Sequence, residues 1–290
     1  MLIIVLSVII GLIVLYFLVS ALIANGMAGS KRVPPPDLGY PEVCIVNPFD
    51  STKISGWVIP ATSQPPKGTL VVMHGGKQNR ADETIGLLQM CRDIAELGFS
   101  VLSLDRRGCG NSDNARFNER TKSDRDFGGA IDWILKHNPD EKVLLFGTSF
   151  AGVAALVHAS KDHRISGVVA DSSFKCSLAM AKRCLYETFP PFKIFAHGAV
   201  WAAGPLCGVG DDDAIDLVKK IECPILFSGG ELDKVVPPSD ARELLEASAD
   251  PLDEILIVPG AGHSRAYLTS PQTYIARLDE FFEKCISRAP

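Results

Sequence analysis

The chain has 290 residues, 47% of them hydrophobic, and a formal charge of -5, so it is long enough for one large domain or two small ones and has ample apolar material for a core. It carries no basic excess, which argues against a nucleic-acid partner. The eight cysteines (44, 91, 109, 176, 184, 207, 223, 285) have no disulfide-scaffold or Cys-x-x-Cys spacing, a usage that suits a reducing compartment.

Leu2 to Ala24 is an uncharged apolar run of about 23 residues, enough to cross a bilayer as a helix. A cleaved signal peptide has a basic start and a shorter apolar core, and both are missing. Residues 1–30 are therefore expected to form a single-pass transmembrane anchor. The nearby charges, Lys31 and Arg32, follow the run and place the body of the protein on the cytoplasmic side. Residues 31–40, with Pro34-Pro35-Pro36, make a stiff extended linker.

From residue 41 onward the pattern is β and then alternating β and α. Val43 to Val46 and Ile54 to Ile59 read as an opening hairpin, and Thr69 to Met73 as a buried strand. A helix over about Asp82 to Leu97 and a strand at Val101 to Leu104 follow. Ser123 to His137 has Phe127, Ala130, Ile131, Ile134 and Leu135 at helical spacing. Val143 to Phe146 then form a strand that meets a helix at Phe150 to His158. Ile165 to Ala170, Ile225 to Ser228 and Glu254 to Val258 are the remaining strands, with helices at Ser239 to Ala249 and Pro271 to Ser287. Such alternation predicts a mostly parallel central sheet flanked by helices, an α/β fold over residues 41–290. Residues 172–222 break the alternation, with one helix expected over Phe174 to Glu187 and a last short helix after Asp211-Asp212-Asp213. An excursion this long is usually functional. Read as a small helical cap, it would line an apolar pocket with Phe189, Phe192, Phe195 and Trp201; the alternative is ordinary packing onto the sheet edge.

The chemistry starts at Gly147-Thr148-Ser149-Phe150-Ala151, a serine held between a strand and a helix. This is the G-x-S-x-G elbow with Ala151 in place of the second glycine. The turn is so tight that it pushes the serine hydroxyl out of the packed layer, and small neighbours are needed to let strand and helix approach. Three further strand ends carry candidates, where ligand sites of open α/β sheets gather. His74-Gly75-Gly76 follows the Thr69 strand, and its freed amides could hold a developing oxyanion. Asp233 follows the Ile225 strand, and His263 follows the Glu254 strand in Gly260-Ala261-Gly262-His263-Ser264. The chain order serine, acid, histidine is that of an α/β-hydrolase triad.

Taken with Asp105-Arg106-Arg107-Gly108-Cys109-Gly110-Asn111-Ser112, Asp171-Ser172-Ser173-Phe174 and Gly230-Glu231-Leu232-Asp233-Lys234-Val235-Val236-Pro237, these motifs give a named resemblance. From about Pro41 to the C-terminus the chain resembles the α/β-hydrolase superfamily. The likeness is to its membrane-anchored, serine-aminopeptidase-like branch of lipid esterases and protein depalmitoylases. The resemblance implies Ser149 as nucleophile, Asp233 as acid and His263 as base, with an oxyanion hole from the amides of Gly76 and Phe150. Neither zinc spacing nor a phosphate loop is present, so no cofactor and no metal are expected. Asp171 also ends a strand and is the alternative acid. His74 reads as a structural partner of its own glycine loop, and Asp105 with its arginines as a loop pin. His137, His158, His163 and His197 have no matching context.

The expected activity is serine hydrolysis of carboxylic esters through an acyl-enzyme, acting near a membrane on a small-molecule or lipid acyl ester. An acyl-protein thioesterase or a serine aminopeptidase uses the same tetrahedral chemistry and remains open. So does a catalytically silent, membrane-tethered binding module.

Overall fold

Among the described residues, short runs rich in Val, Ile and Leu, each closed by Gly, Pro or Asp, form eight strands. They form a single sheet of order β1-β2-β4-β3-β5-β6-β7-β8 in the computed structural model. The structure describes residues 1–27, 32–76, 78–115, 122–188, 190–207 and 213–288. Lys31, Phe189, Asp211 and Asp212 lie outside these, as do the side chains of Phe192 and Cys207.

The sheet opens with the antiparallel hairpin β1 (Glu42–Val46) and β2 (Lys53–Ile59), and β2 also runs antiparallel to β4 (Ser100–Leu104). β3 (Thr69–Met73), β5 (Val143–Thr148), β6 (Ile165–Asp171), β7 (Ile225–Gly230) and β8 (Glu254–Val258) are parallel to their neighbours. Every residue of β5 and β7 is buried, as expected of parallel strands covered on both faces.

The connecting helices form the two outer layers. One core packs α3 (Ser123–His137), α4 (Phe150–Ala159) and α8 (Pro238–Ala247) against one sheet face. The other packs α2 (Leu87–Glu96) and α10 (Pro271–Ser287) against the opposite face through Phe99, Leu278, Phe281 and Phe282. α2 starts five residues later than the periodicity predicts. Asp82 caps a turn through Thr84 N–H, and Gly86 takes φ 69°, which the helix cannot continue through. The loop after β4 is pinned by charge. Asp105 accepts from the amides of Arg80 and Asn111 at 2.7 and 2.9 Å, and Arg107 reaches the buried Asp126 at 2.6 Å.

The N-terminal run is one helix, α1 (Leu2–Met27), whose stretch Ile3–Ala24 has mean hydropathy 3.0. It is exposed over most of its length. Between β6 and β7 lie α5 (Ser177–Thr188), a 3₁₀ turn (Pro190–Phe195), α6 (Ala196–Cys207) and α7 (Ala214–Leu217). The sequence reading missed α6. Its alanines carry no strong helical stripe, because their partner is α1 rather than the sheet. Ala24 of α1 shares a small apolar cluster with Leu185, Ala196, Ala199 and Ala202. The described aromatics of this excursion pack toward α1. Phe195 stacks on Tyr16 with ring centroids 5.5 Å apart, and Trp201 meets Phe17 at 5.4 Å.

Candidate active site

A strand buried along its whole length can present a side chain only where it ends. β5 ends at Thr148, and Ser149 takes φ 51° and ψ -114° before α4 begins at Phe150. That backbone state is costly for a non-glycine residue and persists only where its surroundings hold it. Here the Ser149 amide donates to the carbonyl of Asp171 at 2.7 Å, tying the turn to the end of β6. Two neighbours must be glycine: Gly147, where a Cβ would collide with the Ala151 carbonyl, and Gly152, one place beyond the motif. A Cβ there would run into Ser173 Oγ and come within 2.8 Å of the Gly147 carbonyl. Ala151 is fully buried and its methyl is accommodated, so the departure from G-x-S-x-G has no steric consequence.

The loops after β7 and β8 converge on the same point. His263 Nε2 lies 3.1 Å from Ser149 Oγ, and His263 Nδ1 lies 2.6 Å from Asp233 Oδ2. The other oxygen of Asp233 accepts from the amides of Val235 and Val236 at 2.9 and 2.8 Å, which fixes the carboxylate plane. Asp233 is buried, whereas the His263 side chain keeps 30% of its surface exposed. The row thus runs from a shielded carboxylate to a hydroxyl that a substrate can reach. The Nε2–Oγ distance is within the reach needed for proton transfer.

The glycine turn after β3 lies against the elbow, since a Cβ on Gly75 would meet the Thr148 carbonyl at 2.5 Å and Ser149 Cβ at 2.9 Å. Gly76 is exposed beside it, and the Phe150 amide is the first of α4, with no carbonyl one turn before it to bond. These are the two amides named for an oxyanion hole. His74 is fully buried and accepts from the Arg106 amide at 3.1 Å, joining the loops after β3 and β4. Burial, helped by the charge of Arg106, lowers its pKa to about 3, so it remains a neutral structural group.

Asp171 is not bonded to His263. Its carboxylate accepts from Ser228 Oγ at 2.7 Å and Tyr274 Oη at 3.2 Å beneath the site. Burial raises its pKa to about 6, against the lowering effect of the Ser228 bond and of His263 nearby. A folded-state value above the unfolded one means that ionising Asp171 costs stability. Its contribution is intact below about pH 4 and is lost as pH rises through about 6. Asp171→Asn should therefore gain on the parent chain as pH rises, by roughly 3 kcal/mol between pH 4 and 7. Denaturant midpoints of both proteins across that range would measure this, and a constant difference would contradict it.

Sequence reasoning also passed over Ser172. It takes φ 48°, and its Oγ accepts at 3.0 Å from the amide of Ser264, itself at φ 54°. This bond anchors the loop that carries His263. The signal was the Asp-Ser-Ser-Phe motif, quoted without a role. The remaining histidines are placed elsewhere: His158 bonds Asp162, His163 pairs with Glu222, His137 bonds its own helix and His197 is exposed. Among the described residues, no three His, Cys, Asp or Glu side chains are grouped as a metal site.

Residues 68–187, from β3 through the elbow to α5, match the family model of the alpha/beta hydrolase fold. The chain has the α/β-hydrolase fold. An esterase of Pyrococcus furiosus superposes with a TM-score of 0.74 at 20% identity, over 89% of this chain and all of that one. A thermophilic esterase of Thermogutta terrifontis gives 0.61 at 20% identity, over 85% of this chain. Among sequences, an uncharacterized protein of Mycobacterium tuberculosis is 23% identical over 82% of this chain and 77% of its own length. An uncharacterized membrane protein of Saccharomyces cerevisiae is 25% identical over 74% of this chain and 70% of its own. A proline iminopeptidase of Thermoplasma volcanium is 36% identical, over only 33% of this chain and 30% of its own length. Within the hydrolase fold, the elbow, the loop after β7 and the loop after β8 are the three places where the hydrogen-bonded row of this chain is assembled.

Proposed function

We propose that this hydrolase-fold chain is a serine esterase held at a membrane by α1. The single observation that carries the chemistry is the row Asp233–His263–Ser149, with contacts of 2.6 and 3.1 Å. A serine hydroxyl is a weak nucleophile until a base takes its proton. His263 Nε2 receives that proton as Oγ attacks the acyl carbon. Asp233, held by two amides, keeps the imidazole in the tautomer with its proton on Nδ1 and stabilises the imidazolium. The amides of Phe150 and Gly76 are the donors assigned to the oxygen that gains charge. His263 then protonates the leaving group, and water, activated by the same histidine, releases the acid from the acyl-enzyme.

In this reading residues 1–30 are an anchor, 31–40 a linker, 41–290 the catalytic domain and 172–222 a cap. The length and hydropathy of Ile3–Ala24 support a membrane span, and the packing of its last turns on α6 supports a helix that is retained. Arg32, following the span, favours a cytoplasmic catalytic domain. A silent binding module is disfavoured because nothing in it would maintain a strained serine within reach of an oriented imidazole.

The aminopeptidase reading has one observation in its favour, the partial likeness to the iminopeptidase. A panel of acyl esters, acyl thioesters and aminoacyl amides separates the readings. The esterase reading expects the highest kcat/KM on an ester, and a preference for aminoacyl amides would refute it. A chain lacking residues 1–30 should keep its rate on a small activated ester while losing rate on an ester embedded in vesicles. Equal loss on both would contradict the division into anchor and catalytic domain.

A further inference from the structure

A helix that crosses a bilayer fixes the depth of whatever is packed against it. Ile3–Ala24 is 22 residues, a rise of roughly 33 Å, close to the roughly 30 Å of a hydrocarbon core. The contacts of α6 and of the 3₁₀ turn before it fall on the second half of α1. The Gly198 amide donates to Tyr16 Oη at 3.1 Å, Phe195 stacks on Tyr16, and Trp201 meets Phe17. From Tyr16 to Ala24 is about 12 Å of helix, less than one leaflet of the core.

The two helices also approach closely. A Cβ on Gly198 would strike Ser20 Oγ and lie 2.8 Å from Tyr16 Cε1, while Ala24 sits on Ala199 and Ala202. Small residues that bring backbones together are the usual means by which membrane helices associate. α6 itself has no Asp, Glu, Lys or Arg. Ile194 of the preceding 3₁₀ turn and Trp201 of α6 are 71% and 69% exposed, and Trp201 lies against Phe17 of the exposed apolar helix α1. Lys193, just before them, rests over the Tyr186 ring at 5.6 Å, the cation and aromatic expected where hydrocarbon gives way to headgroups.

We infer that α6 is embedded with α1 in the bilayer leaflet facing the catalytic domain, so that the occupant of its exposed apolar face is lipid hydrocarbon. The excursion that carries it leaves the sheet at Asp171, whose carbonyl bonds the Ser149 amide. The substrate class that follows is an acyl ester dissolved in that leaflet, delivered laterally rather than from water. This rests on the reading of α1 as a membrane span and on the esterase reading of Ser149.

The test uses the full chain reconstituted in phosphatidylcholine vesicles with brominated acyl chains, which quench tryptophan at hydrocarbon depth. The chain has three tryptophans; Trp57 is buried in the core and Trp133 packs on His137 of α3. Bromine should remove a component of the emission that is missing from Trp201→Phe. Ile194→Glu should lower kcat/KM on a vesicle-embedded ester roughly a hundredfold, the scale of placing a charge in apolar lipid, and leave a short water-soluble ester unaffected. If Trp201 is unquenched while the protein resists alkaline extraction, α1 spans the membrane but α6 is not in it, and the inference is overturned. Trp201 shielded by a second copy in a cross-linked dimer overturns it equally. Extraction at alkaline pH would instead remove the anchor itself. Absence of all ester hydrolysis would remove the esterase reading while the quenching still decides where α6 lies.

Discussion

Ser149→Ala is expected to abolish ester hydrolysis, with kcat falling by about a millionfold, the scale seen when a serine nucleophile is lost from a protease triad. The substitution removes the only atom of Ser149 that reaches His263, at 3.1 Å, and leaves the elbow packing alone. The bond from its amide to Asp171 is made by the backbone and survives. Alanine tolerates φ 51° no better than serine does, so the variant should fold with near-parental stability. Circular dichroism and the denaturation midpoint check the fold, and the ester assay checks the chemistry. His263→Ala should be similarly severe, and the double variant little worse than either, because the groups act as one unit. Retained turnover in well-folded Ser149→Ala protein would end the mechanism.

The second large effect separates two buried carboxylates. Asp233→Asn should lower kcat by roughly ten thousandfold, because an amide in place of the carboxylate orients the imidazole in the wrong tautomer. Val235 and Val236 amides would still hold the remaining oxygen, so the geometry should change little. Asp171→Asn should cost far less, since its carboxylate bonds Ser228 and Tyr274 and its hydrogen bond to the elbow is made by its carbonyl. Measuring kcat for both variants on one ester decides between them. The reverse ranking would make Asp171 the acid and Asp233 a loop carboxylate.

Much of this fold could be read from the chain. Strands such as Thr69–Met73 and Glu254–Val258 are short apolar runs closed by turn residues, and their limits match the structure. The residues of the row were legible because a strand-end site leaves local marks: a serine among small residues, and Asp233 and His263 each a few places beyond an apolar run. What was not legible depends on distant partners. Ser172 and Ser264 lie 92 residues apart, and only the folded sheet brings them to 3.0 Å. α6 was missed for the same reason. A run such as Ala196-His197-Gly198-Ala199-Val200 has no stripe to face a sheet, and its helical character becomes intelligible only once Ser20 and Ala24 are beside it. The start of α2 was misplaced because periodicity ran on through Gly86, whose positive φ stops the helix.

The central claim is that Ser149 is a nucleophile activated by His263. Its most direct test is covalent labelling of the full-length chain with a fluorophosphonate, followed by mass spectrometry of the proteolysed adduct. The account predicts one adduct per chain, on the peptide containing Gly147-Thr148-Ser149, and no adduct with His263→Ala. A folded chain that takes no label, or takes it on another residue, would contradict it.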